Sequence, residues 1–239
     1  MANGVTTVSA IDSEILARMD RTGSEFVPQA RRYLWINDSY KELYDLLIQK
    51  FGDDYFFSVS SNITTDGTND LYALPSDFYK LYGVDLSLTG GNPDGWITVK
   101  QFNKADRNRY AVPNFQSFYG ITNLRYRLRG SNLWLTPLPS SGQKLRVLYA
   151  PRPTDIVDGS STIDGVSGWE QYIVSDVCIK YCGAEETDPQ LFMAQKASLK
   201  QRIEEAAANR NVGDPQTVSD SQTNWGPFGG FSNGSGYMP

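Results

Sequence analysis

Histidine is absent from the 239-residue sequence, and cysteine occurs only twice. Because histidine is the usual base that activates a serine or cysteine nucleophile, its absence excludes Ser-His and Cys-His catalysis and the commoner zinc sites. Cys178 and Cys182 are four residues apart in a segment with a strongly helical pattern, where a disulfide fits poorly within one regular helix. We interpret both as reduced core residues, and we expect neither a metal nor a cofactor.

Long apolar runs and an N-terminal signal pattern are also missing. No run approaches the roughly 20 apolar residues that a membrane-spanning helix requires. Acidic residues do occur in adjacent pairs, but neighbours in sequence point in different directions on a helix, so these pairs are not obvious catalytic dyads. They are Asp53-Asp54, Glu185-Glu186 and Glu204-Glu205. We therefore expect a soluble, non-enzymatic protein made in a cytoplasm, with a carboxylate-dependent glycosidase as the alternative left open.

Acidic residues are missing altogether from one long segment. Between Arg107 and Thr154 there is no Asp or Glu, whereas eight Lys and Arg residues occur. The rest of the chain carries 14 basic and 27 acidic residues, so a basic middle lies between two acidic flanks. Such a division lets copies of the chain attract one another, or turns a basic face toward nucleic acid.

Apolar residues at helical spacing open and close the chain. Steps of three and four residues predict helices over 9–21, with Ser9 as N-cap, and over 28–51. A buried helical face over 173–182 and a further helix over 188–206 follow near the end. These four segments predict a bundle of two N-terminal and two C-terminal helices.

Between the helical segments the apolar period changes to two, which indicates β-strands. The sequence predicts strands over 55–60, 71–73 and 81–88, and a brief helix over 99–107. The clearest local prediction is a three-stranded β-meander over 122–150. The predicted fold class is therefore α+β, a helical bundle with an inserted antiparallel β-rich region and an extended C-terminal tail.

The meander has a specific predicted register. A two-residue turn at Gly130-Ser131 places glycine where φ must be positive. The cross-strand pairs are then Leu128 with Leu133, Tyr126 with Leu135, and Arg127 with Trp134. A third strand over 144–150 completes a basic β-face made of Arg125, Arg127, Arg129, Lys144 and Arg146. This face either lines a passage for DNA through phosphate attraction, or is a solvated surface that meets an acidic flank of a neighbouring copy.

Residues 211–239 differ from the rest in composition. They are rich in Gly, Ser, Asn and Pro and cannot form a core alone. Large apolar side chains nevertheless recur there, namely Trp225, Phe228, Phe231, Tyr237 and Met238. Simple disorder is one interpretation; the other, which we favour, is a docking tail whose anchors become ordered on a partner.

The chain thus divides into a helical bundle (1–52 and 168–210), a β-rich insertion (53–167) and a C-terminal docking tail (211–239). Several segments recur in this order and spacing in a known family: Trp35–Asn37, Leu43–Leu47, Tyr72–Phe78, Tyr126–Pro137, Trp169 at a helix start, and Arg210–Pro215. With them the sequence resembles the head-to-tail connector (adaptor) proteins of tailed bacteriophages.

This resemblance implies a structural protein of the virion neck, made in the cytoplasm of a bacterial host. It implies a dodecameric ring that binds the portal protein above and a tail tube or nozzle protein below. Double-stranded DNA would pass through the ring, and the extended C-terminal segment would dock on the portal. The alternatives are another neck or tail component, such as a nozzle or stopper, and a virion-associated peptidoglycan hydrolase.

Overall fold

Helices at both ends of the chain enclose a β-rich middle. The computed structural model describes residues 6–22, 26–52, 55–87, 95–110, 124–163 and 168–209. Within them the helices are α1 (Val8–Arg18), α2 (Gln29–Phe51), α3 (Arg107–Tyr110), α4 (Glu170–Glu185) and α5 (Gln190–Ala208). The strands are β1 (Thr6–Thr7), β2 (Ser58–Val59), β3 (Ile63–Thr64), β4 (Leu71–Ala73), β5 (Phe78–Ser87), β6 (Trp96–Thr98), β7 (Lys100–Gln101), β8 (Arg125–Arg129), β9 (Asn132–Thr136), β10 (Lys144–Pro151) and β11 (Thr162–Ile163). The predicted α+β class is confirmed.

Helix α4 lies at the centre of the bundle, where α1, α2 and α5 all pack against it. Its sequence is apolar on several sides, so Tyr172, Ile173 and Val177 are all fully enclosed. The predicted buried face over 173–182 is confirmed. Cys178 and Cys182 are free thiols in this core, and burial raises the pKa of Cys178 to about 12.

The start of α1 differs from the prediction. Its N-cap is Thr7, whose Oγ1 accepts a hydrogen bond from the Ala10 amide at 3.3 Å, so Ser9 already lies inside the helix. The reason is the β1–β11 pairing, which holds Thr6 and Thr7 in extended conformation and makes Thr7 the first residue free to cap.

The β-rich region folds into two sheets that pack against each other. One has the order β2-β10-β5-β6 with β3 also on β10, and the other has the order β4-β9-β8-β7. Alternate residues of both sheets share one core, with Leu133 and Leu135 from β9 and Leu145 and Val147 from β10 almost fully buried. The pairs are antiparallel except β7–β8, which is parallel.

The β8–β9 hairpin has the predicted register. Leu128 faces Leu133, Tyr126 faces Leu135 and Arg127 faces Trp134, with Gly130 at φ +61° in the turn. The predicted meander is nevertheless wrong, because β10 pairs with β2, β3 and β5 and lies in the other sheet. The predicted helix over 99–107 is also wrong in its first part, where β7 lies instead.

The chain changes sheets between β9 and β10. Pro137 and Pro139 have no amide hydrogen for a strand ladder, which ends the pairing of β9. Thr65 then holds the crossing segment, because its Oγ1 donates to the Ser140 carbonyl at 2.5 Å and accepts from the Gln143 amide at 3.0 Å. Alternating apolar residues look the same whether a strand extends one sheet or packs across from it, so the pattern did not distinguish the two.

An aromatic cluster joins the bundle to the β-sandwich. The ring of Tyr44 on α2 stacks on Phe56 at a centroid distance of 4.0 Å, and its hydroxyl donates to the Pro151 carbonyl at 2.5 Å. Tyr79 on β5 donates to the Asp45 carboxylate, and Ala150 of β10 lies within the bundle core. These contacts tie the orientation of the sandwich to the bundle.

Candidate functional site

The structure does not bring the five residues of the predicted basic β-face together. Arg125, Arg127 and Arg129 lie on the outer side of the β4-β9-β8-β7 sheet. Lys144 and Arg146 lie on the outer side of the other sheet. Since the inner sides of the two sheets form one core, the two basic sets point in opposite directions.

We call Arg125, Arg127 and Arg129 with Trp134 the Arg face. The Arg129 guanidinium lies 5.8 Å from the centroid of the Trp134 ring, while the Trp134 indole N–H donates to the Asp70 carboxylate at 2.9 Å. Arg127, which faces Trp134 across the strands, donates to the Phe102 carbonyl at 3.3 Å. Tryptophan and arginine are the residue types most enriched where protein interfaces carry their binding energy.

Arg146 on the opposite side has a structural partner. Its Nε and Nη2 both lie 3.0 Å from Oδ2 of Asp85, which is directly across from it on β5. Its guanidinium also lies 4.4 Å from the centroid of the Trp96 ring. The charge of Arg146 is therefore neutralised within its own sheet, and this side is less basic than the sequence suggested.

A buried ion pair joins α1 to α2. The Asp12 carboxylate receives two hydrogen bonds from the Arg32 guanidinium, at 2.6 Å and 2.8 Å, and both side chains are 7% exposed. Arg32 also donates to the Val27 carbonyl at 2.6 Å, which fixes the segment before α2. Hydrogen bonding to Asp12 raises the pKa of Arg32.

A second network, centred on the buried Asp176, joins α2, α4 and α5. The Asp176 carboxylate contacts Lys180 at 2.8 Å, Lys196 at 2.6 Å and the Ser39 hydroxyl at 2.5 Å. Lys196 also contacts Glu42 at 2.8 Å, and Glu42 accepts a hydrogen bond from the Tyr172 hydroxyl at 2.7 Å. Burial by itself would raise the pKa of Asp176, but the hydrogen bonds from Lys180, Lys196 and Ser39 outweigh it and keep that pKa below its ordinary value.

In this network the carboxylates of Asp176 and Glu42 both contact Lys196, so the arrangement invites comparison with a catalytic pair of acids. A catalytic general acid needs a raised pKa, whereas that of Asp176 is lowered. Both carboxylates form ion pairs with Lys196 of α5, so the arrangement stabilises the packing of α5 on the bundle. The sequence carried a signal for it, since Asp176 is the one acidic residue between Glu170 and Glu185 in a largely apolar helix.

Helix α5 leaves apolar surface uncovered. Of its residues only Ile203 is fully buried, whereas Leu191 is 65% and Met193 is 54% exposed. Between α1, α4 and α5 lies a groove of about 480 Å³ lined by Arg18, Gln171, Ser175, Leu191, Phe192, Gln195, Ser198 and Leu199. We call this the α5 groove. Neither a charge run nor a helical period marks it in the sequence, because it is formed by the arrangement of three helices.

The remaining predicted residues fall into two groups. The tail anchors Trp225, Phe228, Phe231, Tyr237 and Met238 lie outside the described residues. Of the acidic pairs, Glu185 contacts Arg21 at 2.8 Å and Glu204 contacts Lys50 at 2.9 Å. In the part of the chain that the structure describes, no helix combines the length and apolar character needed to cross a membrane.

Comparison with known families agrees with this architecture. Residues 6–225 match the family model described as SU10 adaptor protein, so the match includes the bundle, the β-sandwich and the first part of the tail. No curated protein matches the sequence. Because the family match spans most of the chain, this protein belongs to the SU10 adaptor family and is a structural adaptor component of a phage virion.

Proposed function

We propose that this chain is a subunit of a ring in the phage neck, which lies beneath the portal, joins the capsid to the tail and lets the genome pass. The observation that carries the proposal is the adaptor family match over residues 6–225. Its partners would be further copies of itself, in a dodecamer, together with the portal protein and a tail tube or nozzle protein. Its role would be structural, with no catalytic step.

The charge distribution supports contacts between copies. Among the described residues, the helical segments carry 10 Lys and Arg against 13 Asp and Glu. The β-rich segments carry 11 Lys and Arg against 7 Asp and Glu. A net acidic bundle and a net basic sandwich in one subunit favour a head-to-tail contact, which closes into a ring when the rotation between copies permits.

Within that ring, we assign the Arg face to the contact with an acidic flank of the neighbouring copy. Trp134 supplies an apolar centre there, and Arg129 stacks on it with its charge outward. Passing DNA is the other partner that such a face suits, because phosphates attract arginine without regard to sequence.

Replacing Arg127 and Arg129 together by alanine should weaken association between copies about tenfold, because two charges and the cation–π contact are lost. Sedimentation of the assembled ring at several protein concentrations measures this effect. Lys144→Ala is the matched control, since it removes a charge from the opposite side of the sandwich and should leave assembly unchanged. If the double variant assembles normally but binds duplex DNA less tightly, the Arg face lines the DNA passage and the assignment to the subunit contact is wrong.

We further propose that residues 211–239 dock on the portal through their five large apolar anchors. Deleting 220–239 removes all of them and should abolish attachment to portal rings, while the circular dichroism spectrum stays that of the folded protein. Co-sedimentation with portal rings measures attachment.

The control for this deletion keeps the tail and all its anchors but changes Asp214 and Asp220 to asparagine. It should dock like the native chain, because the anchors and not the charges supply the binding energy. A truncated protein that docks with unchanged affinity would rule out the docking role of the tail.

A further inference from the structure

A second depression adjoins the α5 groove along α4, on the other side of the contact between Arg18 and Gln171. It has a volume of about 360 Å³, lies between α1 and α4 and shares Gln171 with the groove. Its other lining residues are Thr6, Ala10, Ile11, Glu14, Glu170 and Val174, so it carries two carboxylates. The α5 groove carries a single charged side chain, Arg18, so it is the less charged of the two and the one suited to an extended segment with apolar side chains.

One residue that lines the groove, Gln195, has a side-chain acceptor without a donor. The side-chain oxygen of Gln195 is buried, and no described residue donates a hydrogen bond to it. A buried polar atom without a partner destabilises a fold. The exposed apolar surface of Leu191 lies in the same groove. Both features fit an occupant that carries apolar side chains and a hydrogen-bond donor.

The C-terminal segment of the same chain has the length and the starting point to be that occupant. Arg202 near the end of α5 lies 5.8 Å from the ring of Trp169, so the last turns of α5 run beside the start of α4, near Gln171 of the groove. Trp225 is sixteen positions after Asn209, which gives a reach of about 50 Å, whereas α5 is only about 28 Å long.

The composition of the segment matches the groove as well. No charged residue occurs over 221–239, and Trp225, Phe228 and Phe231 are spaced by three residues. In an extended chain that spacing separates neighbouring anchors by about 10 Å, close to the roughly 12 Å between Leu191 and Leu199 along α5. The indole N–H of Trp225 and the backbone amides are donors suited to Gln195.

We propose that in the free subunit Trp225–Phe231 lies in the α5 groove of its own chain and leaves it when the tail docks on the portal. The inference rests on the proposed docking role of the tail. Tethering gives the segment an effective concentration in the millimolar range, so a weak interaction suffices to fill the groove. A portal site that engages more anchors would then displace it, and the apolar anchors are shielded until that point.

A cysteine pair tests this inference in the full-length protein without portal. Ser198→Cys places a thiol in the groove, and Gly229→Cys places one between two anchors. A short bismaleimide should join these two cysteines within one chain, with a yield about tenfold higher than for a control pair. The control is Leu138→Cys, on an exposed loop of the sandwich, with the same Gly229→Cys. Mass spectrometry of the linked peptides measures the yield. The native thiols are buried and should not react.

Each outcome decides the matter. Equal yields for the two pairs would overturn the inference, and so would a product that joins two chains at low protein concentration, because the occupant would then be the tail of a second copy. When Trp225→Ser and Phe228→Ser are added to the protein with Ser198→Cys and Gly229→Cys, its cross-linking yield should fall to that of the control pair. If the cross-link fails but deletion of 220–239 abolishes docking, only this inference is wrong. If the deleted protein docks as well as the native chain, the proposed docking role of the tail is wrong.

Discussion

Replacing Asp12 by alanine should lower the free energy of unfolding by about 4 kcal/mol. The substitution leaves the Arg32 guanidinium 7% exposed and without the carboxylate that receives two of its hydrogen bonds. A buried charge that has lost its partner is far more costly than the intact pair is stabilising. Guanidinium denaturation followed by circular dichroism measures the change.

Two further variants show whether the buried charge is the cause. Glu14→Ala breaks an ion pair with Arg18 on the same helix, but that pair is partly exposed and its loss should change stability little. Asp12→Leu combined with Arg32→Met removes both charges and should recover most of the loss, since no unpaired charge stays buried. A single Asp12→Ala variant as stable as Glu14→Ala would contradict the account.

Asp176→Ala should lower the free energy of unfolding by about 2 kcal/mol and loosen α5 in particular, because hydrogen bonds to a buried charged group are lost while the two lysines stay partly hydrated. Lys180 and Lys196 lose their shared carboxylate, and α5 has only Ile203 as a fully buried residue to hold it in place. Hydrogen exchange should therefore speed up in peptides from α5 more than in peptides from α2. Lys50→Ala is the control, because it removes the exposed contact between Lys50 and Glu204, and it should have little effect.

The same carboxylate predicts the direction of a pH effect. The pKa of Asp176 is lower in the folded protein than its ordinary value, so its contribution is present above the unfolded pKa of about 4 and is lost as the pH falls through the folded pKa. The native protein should therefore lose stability in acid more steeply than Asp176→Ala. Parallel stability curves for the two proteins between pH 6 and about pH 3 would contradict this role.

Local patterns in the sequence predicted the elements and the hairpin well. The register of Tyr126, Arg127 and Leu128 followed from strand alternation and one turn at Gly130, because both act over a few residues. The strands that pair with β10 could not be predicted from these local patterns, since they depend on where the chain crosses from one sheet to the other. Thr65, which fixes that crossing, lies about 80 residues before β10 in the chain.

The interaction surfaces were harder to predict for a similar reason. The sequence predicts an exposed cation at Arg146, but Asp85 on the neighbouring strand, 61 residues earlier in the chain, neutralises its charge. The sequence signalled the two ion-pair networks of the helices only in part: Asp176 is the one acidic residue between Glu170 and Glu185, whereas Asp12 lies beside Ser13 and Glu14 and looks like a surface residue. The α5 groove had no signal, because it depends on how three helices are arranged and on none of them alone.

The most direct test of the central claim is native mass spectrometry of purified portal rings with and without this protein. If the protein is a ring-forming adaptor, the mass of the portal ring should rise in one step by that of a full ring of copies, twelve on a dodecameric portal. The 220–239 deletion should give no such complex. Portal rings whose mass stays the same, or that gain copies singly without reaching a closed ring, would contradict the claim.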